Sequence, residues 1–313
     1  MDNQPPYGPA EVRQAQFAIR LSLFFGLIML VGKGAAYVMT GSAAILSDAA
    51  ESVIHVVAVA FAAFSMWLSL RPAKNTFLYG YERIVFFSAG FEGAMIVLAA
   101  IAIIAAAVDK WLRGLQLDNL GWGTFIVLAA SVLNAALGFY LLRVGRKTNS
   151  LILEANGKHV LTDSWTSFGV VAGLGLVIWT GWKPFDPLCA IAVALNILWS
   201  GGNLIARSIR GLLDYSDPAV GKQIRERLDK LCSDAGVQYH GLRFRSTGQR
   251  LIVEVHLLFP FSVPLGDAHR TATLLEDKLK ESIDPQAEVV THLESLEDHS
   301  EIHGRPHYTG RAV

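Results

Sequence analysis

Cysteine and charge are what this sequence has least of. It holds two cysteines, Cys189 and Cys232, in 313 residues, which excludes a disulfide framework, a CxxC redox pair and a four-cysteine zinc site. Both read as small buried apolar residues. Charged residues make up 17% of the chain, where soluble domains carry about 25%. Lys plus Arg and Asp plus Glu number 27 each, for a formal net charge of zero. With no basic field to gather phosphates, nucleic acid is not expected as a partner. Residues 1–15 lack the basic, apolar and small-residue order of a cleaved signal, so the first hydrophobic segment is expected to stay in the mature protein. What the sequence has in excess is apolar: 52% of residues are hydrophobic and the mean hydropathy is +0.38. That balance belongs to membrane proteins.

Crossing the hydrocarbon core takes about 20 mostly apolar residues in a helix. Six stretches qualify, at 16–38, 43–70, 84–111, 123–145, 159–182 and 186–209. An even number of spans puts both termini on one side. Lysine and arginine gather at one set of span ends, as Arg13 and Arg20, Arg71, Lys74 and Arg83, Arg143, Arg146, Lys147 and Lys158, and Arg207 and Arg210. The positive-inside rule makes those ends and both termini cytoplasmic, although Lys110, Arg113 and Lys183 fall on the opposite side. A multi-pass protein of the cell (inner) membrane is the expected localisation, with the lipid bilayer as partner.

From Asp214 onward no apolar run is long enough to span. Residues 216–236 read as a helix with Asp217 and Pro218 at its start. Residues 237–246 and 250–259 read as strands around the turn Thr247, Gly248, Gln249. A second amphipathic helix is expected at 265–283 and a third strand at 287–294. The fold class is thus an all-α six-helix transmembrane bundle over 1–213, followed by a small α+β domain of order αββαβ over 214–296. The remaining 297–313, with His299, His303 and His307, reads as a flexible histidine-containing tail.

Ionisable groups inside a span are costly and mark function by default. The second span carries Asp48, Glu51 and His55, and the fifth carries Asn156, His159 and Asp163 around its start. Glu51 and His55 are four apart, as are His159 and Asp163, so each pair stacks on one helix face. Each helix offers one imidazole and one carboxylate. Two such helices side by side supply the four-ligand tetrahedron that zinc favours, with Asp48 and Asn156 one turn away. Glu92 in the third span could relay protons or bind a neighbour, but nothing near it in sequence completes a site, and it stays outside this set. Lys33 reads as a snorkelling cation and Asn134 as a helix-packing residue.

Several motifs here resemble the cation diffusion facilitator family, proton-coupled exporters of zinc and related ions. They are the run Gly41 to Ala49 leading into span two, His159 to Asp163 in span five, Asp186-Pro187 opening span six, and Val290-Thr291-His292 near the end of the soluble part. The resemblance implies a transport quartet of Glu51, His55, His159 and Asp163. It departs from the family pattern in span two, where Glu then His replaces His or Asp followed by Asp, which leaves the choice of metal open. It also implies a metallochaperone-like cytoplasmic domain that binds metal, with His240, His256, His269, His292 and Glu294 as candidates, shared across a homodimer. Strand periodicity places His292 and Glu294 on one face. Arg83 stands where the family has a lysine that pairs with an aspartate after span six, and Asp214 stands at the matching place, so a charge interlock is implied. The loop 75–81 has neither His nor Asp, and no metal is expected there.

The mechanism expected is alternating access. A divalent ion, zinc first, enters from the cytoplasm and is displaced by protons, which imidazoles of pKa about 6.5 release and regain in the physiological range. Metal also serves as a regulatory ligand of the soluble domain. Iron, cobalt, nickel, cadmium and manganese remain open. An intramembrane metal-dependent hydrolase is one alternative, but Glu51 to His55 is not an HExxH arrangement. A metal-sensing membrane receptor without transport is another. No enzyme activity is expected.

Overall fold

The computed structural model of this protein describes residues 9–40, 43–113, 122–182, 184–283 and 287–297. The chain divides into two units, Met1–Leu212 and Leu213–Val313. The first contains α1 (Pro9–Thr40), α2 (Ala43–Ser69), α3 (Ile84–Arg113), α4 (Trp122–Lys147), α5 (Leu151–Thr180) and α6 (Phe185–Leu212). At 1.5 Å per residue even the 26 residues of α4 exceed the roughly 30 Å of a bilayer core. Among the described residues, Ala10–Gly32, Ile84–Asp109 and Pro187–Leu212 are long and apolar enough to cross a membrane by length and composition.

These helices also turn large apolar side chains outward. Phe24, Val31, Phe64, Leu98 and Trp199 are all exposed on the helical unit, which suits lipid rather than water. Trp179 and Trp182 lie exposed at the end of α5, and Arg71 stacks over the Trp67 ring at 3.9 Å from its centroid at the end of α2. Amphipathic rings of this kind sit well at a headgroup boundary.

α5 packs against each of the other five helices. Its first three turns are buried nearly all round, through Leu151, Ile152, Leu153, Ala155, Asn156, His159, Val160, Leu161 and Thr162, as a central helix requires. It begins at Leu151, eight residues before the expected span start at 159. Ser150 caps it by accepting from the Leu153 N–H, after a tight turn through Asn149 at φ 48°. Glu154, Asn156 and Lys158 dilute the apolar signal of this turn, so hydropathy alone misplaces the start. His159 therefore sits just over two turns inside the helix. Gly157 lets α4 come close, since a Cβ there would lie 2.9 Å from the Leu142 nitrogen and 3.0 Å from the Gly138 carbonyl oxygen. α3 and α6 approach similarly at Gly93 and Gly201, where a Cβ on either would lie 3.1 Å from the other's carbonyl oxygen. Ser208 of α6 also donates to the Phe86 carbonyl at 2.6 Å.

The second unit contains α7 (Pro218–Ala235), β1 (Gln238–Ser246), β2 (Leu251–Phe259), α8 (Leu265–Ile283) and β3 (Glu288–Ser295). Asp217 caps α7 by accepting from Ala219 N–H at 2.8 Å, Pro218 supplies the first turn, and Gly236 closes it at φ 66°. The sheet order is β1-β2-β3, antiparallel between β1 and β2 and parallel between β2 and β3. Val253, Val255, Leu257 and Phe259 of β2 pack with Ile224 and Leu228 of α7 and with Ala272, Leu275 and Leu279 of α8. Cys232 belongs to this core, and burial pushes its thiol up to about 11, so it is an inert packing residue. Alternation then turns His256 to the face of the sheet away from the helices.

Both expected classes are therefore present, a helical region with apolar spans and an αββαβ domain.

Candidate metal centre

In the helical unit, His55 of α2 and His159 and Asp163 of α5 present ligand-type atoms that all lie within 4.8 Å of one another. His55 Nδ1 is 3.7 Å from Asp163 Oδ2. The two imidazoles stack with centroids 5.0 Å apart and 15° between planes. Zinc bonds of about 2.0–2.2 Å put tetrahedral ligands roughly 3.3–3.6 Å apart, so small side-chain movements close this set around an ion. The site is enclosed: His159 is buried, and His55 and Asp163 are part-buried. Gly26 of α1 admits the His55 ring, because a Cβ there would meet His55 Cδ2 at 3.3 Å.

Glu51 lies one turn before His55 on α2, with Asp48 just before it. The side chains of both lie outside the described residues. Asn156, one turn before His159, has a hydrogen-bond partner on α1. Its Nδ2 donates to Ser22 Oγ at 3.2 Å, which ties α5 to α1 in a buried polar pair. One residue that sequence reasoning left outside the site is brought to it. Glu92 of α3 is fully buried, and its Oε2 is 3.7 Å from His159 Nδ1. Its signal was a carboxylate in an apolar span; what was missing was that α3 packs against α5.

In the second unit, register does the assembly. His240 pairs with His256 across β1 and β2, and His256 pairs with His292 across β2 and β3. The three rings thus lie in a row, and Glu294, two residues beyond His292, faces the same side. His256 Nδ1 is 2.6 Å from Glu294 Oε1, His240 Nε2 is 2.9 Å from Oε2, and His292 Nε2 is 3.7 Å from Oε1. Ligand-type atoms of His240, His256 and Glu294 lie within 4.8 Å of one another. A bulge between His240 and Arg243, with Gly241 at φ 64°, bends β1 beside them. His269 is exposed on α8, a helix packed on the opposite face. It meets this row only if a second copy supplies it.

Asp214 pairs with Arg245 of β1 at 3.6 Å. Arg83 belongs to the other unit, so its interlock with Asp214 remains a proposal. His299, His303 and His307 lie outside the described residues.

Burial pushes the His256 ring below its ordinary value, outweighing the hydrogen bond and charge of Glu294 that lift it, and the neighbouring His240 and His292 add to the lowering. Metal needs the neutral imidazole, and protons compete for it. The lowering favours the neutral ring, so His256 keeps its metal-ready form to lower pH than an ordinary imidazole does. On account of His256, Zn2+ affinity at this cluster should hold through the range where an ordinary imidazole titrates and fall only on further acidification. Calorimetric titration in a His159→Ala background, which removes a candidate ligand of the other cluster, reads this; affinity that rises on acidification would contradict it.

Comparison with known proteins gives a consistent picture. The family model described as the cation efflux transmembrane domain matches residues 19–213, and the one described as the cation efflux protein cytoplasmic domain matches residues 217–296. An uncharacterized transporter of Synechocystis is 35% identical over 278 residues, covering 89% of each chain. The zinc transporter ZitB of Escherichia coli is 26% identical over 247 residues, 78% of this chain and 76% of its own. The cation-efflux pump FieF of Citrobacter koseri is 26% identical over 276 residues, 88% of this chain and 90% of its own.

Proposed function

The chain belongs to the cation diffusion facilitator family of cation efflux transporters, and on that premise we propose that it exports a divalent transition metal, zinc first, by proton antiport. The observation that carries this reading is the gathering of His55, His159 and Asp163 inside the helical unit of an integral membrane protein. With Glu51 as fourth ligand, two neutral imidazoles and two carboxylates match the charge of a divalent ion. A net-neutral complex is what a low-dielectric interior favours. The same four groups bind protons when metal leaves, which makes exchange of one for the other the natural cycle.

Zinc is proposed because an N2O2 donor set suits its tetrahedral habit, and a relative named as a zinc transporter supports it. Iron, cobalt, nickel, cadmium and manganese accept similar donors. The cytoplasmic row is proposed as a regulatory site. There His240, His256 and Glu294 form the core, His292 stands adjacent, and His269 is supplied by the second protomer of a homodimer. Residence in the inner membrane with both termini cytoplasmic, and an Arg83–Asp214 interlock, complete the proposal.

Zn2+, Fe2+ and Mn2+ offered singly to proteoliposomes, with a pH dye on the far side of the membrane, test it. The expected result is saturable Zn2+ flux with counter-movement of protons. Flux without proton movement removes antiport, and absence of flux for every ion removes transport in favour of a sensor or hydrolase.

A further inference from the structure

Glu92 is fully buried, and among the described residues neither of its carboxyl oxygens has a hydrogen-bond partner. Nδ1 of His159, also buried, has none either. Orphaned buried polar groups are rare because each forfeits its hydration. Here the two orphans face each other, with Nδ1 to Oε2 at 3.7 Å. Closing that gap to a hydrogen bond of about 2.7–3.0 Å takes a shift of about 0.7–1.0 Å.

The backbone on both sides holds this pairing in place. Glu92 immediately precedes Gly93, where α3 lies against the carbonyl of Gly201 on α6. His159 follows two residues after Gly157, where α5 lies against α4. Each partner is therefore anchored next to a close helix contact that leaves little freedom to slide. The remaining adjustment lies in the side-chain torsions of Glu92.

We propose that Glu92 is the positioning residue of His159: it accepts the hydrogen bond of Nδ1–H and so keeps Nε2 free and aimed at the transported ion. A metal-bound imidazole characteristically donates its other N–H to a carboxyl or carbonyl oxygen, which fixes both tautomer and ring orientation. The function needs an acceptor oxygen, which a carboxyl group presents in either protonation state. A glutamine amide oxygen presents one too. This inference rests on the reading that His159 binds the ion.

The test uses the full-length protein in proteoliposomes, with Zn2+ as the probe. Glu92→Leu should raise the half-saturating Zn2+ concentration about 10- to 100-fold, the range seen when a ligand loses its orienting partner. The substitution leaves the buried His159 Nδ1–H without its acceptor, which costs stability, so half-saturation is read on protein recovered as a folded, monodisperse species. Glu92→Gln should stay within about threefold of wild type, since it retains the acceptor. In 15N-histidine-labelled protein, the His159 signal, identified by its loss in His159→Ala, should report Nδ1–H in wild type and Glu92→Gln and shift in Glu92→Leu. Glu92→Met, close to glutamate in volume, carries the same expectation if the leucine variant fails to insert. Unchanged half-saturation in the leucine or methionine variant overturns the proposal. So does a glutamine variant as impaired as leucine, which would make Glu92 a charged ligand, or a His159 signal indifferent to Glu92→Leu. If His159→Ala itself leaves Zn2+ half-saturation unchanged, the site assignment falls, and this inference falls with it.

Discussion

Asp163→Ala should reduce metal flux by at least roughly 100-fold, because residues that merely orient a metal ligand are already worth about 10- to 100-fold and Asp163 is proposed as a ligand itself. Its carboxylate is the part-buried anion beside both imidazoles, 3.7 Å from His55 Nδ1. Without it the quartet keeps one carboxylate, and a bound divalent ion leaves a net charge in a low-dielectric interior. Folding should be little affected, since the substitution removes an ionisable group from a membrane helix rather than adding one. Asp163→Asn, which keeps the shape and loses the charge, should fall nearly as far. Flux is read in proteoliposomes against protein recovered as a monodisperse species. Near-normal flux from either well-folded variant would exclude this cluster as the transport site.

Glu51→His should change which ion is carried rather than whether one is carried. The exchange converts the proposed set of two nitrogens and two oxygens into three nitrogens and one oxygen. Borderline ions such as zinc, cobalt and nickel prefer nitrogen, whereas manganese prefers oxygen. The ratio of Zn2+ to Mn2+ flux should therefore rise about tenfold or more. Glu51→Asp, one methylene shorter, should lower flux for all ions more than it alters their ratio. Asp48, one turn earlier on α2, is the competing carboxylate. The decisive comparison is with Asp48→Asn: if that variant shifts the ratios while Glu51→His leaves them alone, the oxygen ligand is Asp48.

Much of the fold was legible because lipid imposes a simple code. A long apolar run interrupted by a few charges has one cheap solution in a bilayer, a helix, and α1 to α6 follow it. The αββαβ order was legible for a different reason. Period-two and period-3.6 patterns alternate over short segments there, and Asp217, Pro218 and Gly236 punctuate them. The start of α5 was not legible, because polar residues at a buried helix end look like a loop to any hydropathy window. Only its packing against α4 and the Ser150 cap reveal that the helix continues there.

For the candidate site, sequence spacing determined what lies along one helix or strand: His159 with Asp163, Glu51 with His55, His292 with Glu294. Local periodicity is a property of the chain and needs no partner. Which elements meet is a property of packing. That His55 stacks on His159, that Glu92 reaches His159 from α3, and that Asn156 turns to Ser22 follow from close helix approaches. That His240, His256 and His292 fall in one row follows from strand register. The residue types and their helical or strand faces were thus set by sequence alone. Their neighbours across elements were decided by the tertiary structure, because contact between distant segments depends on how whole faces interlock rather than on any local pattern.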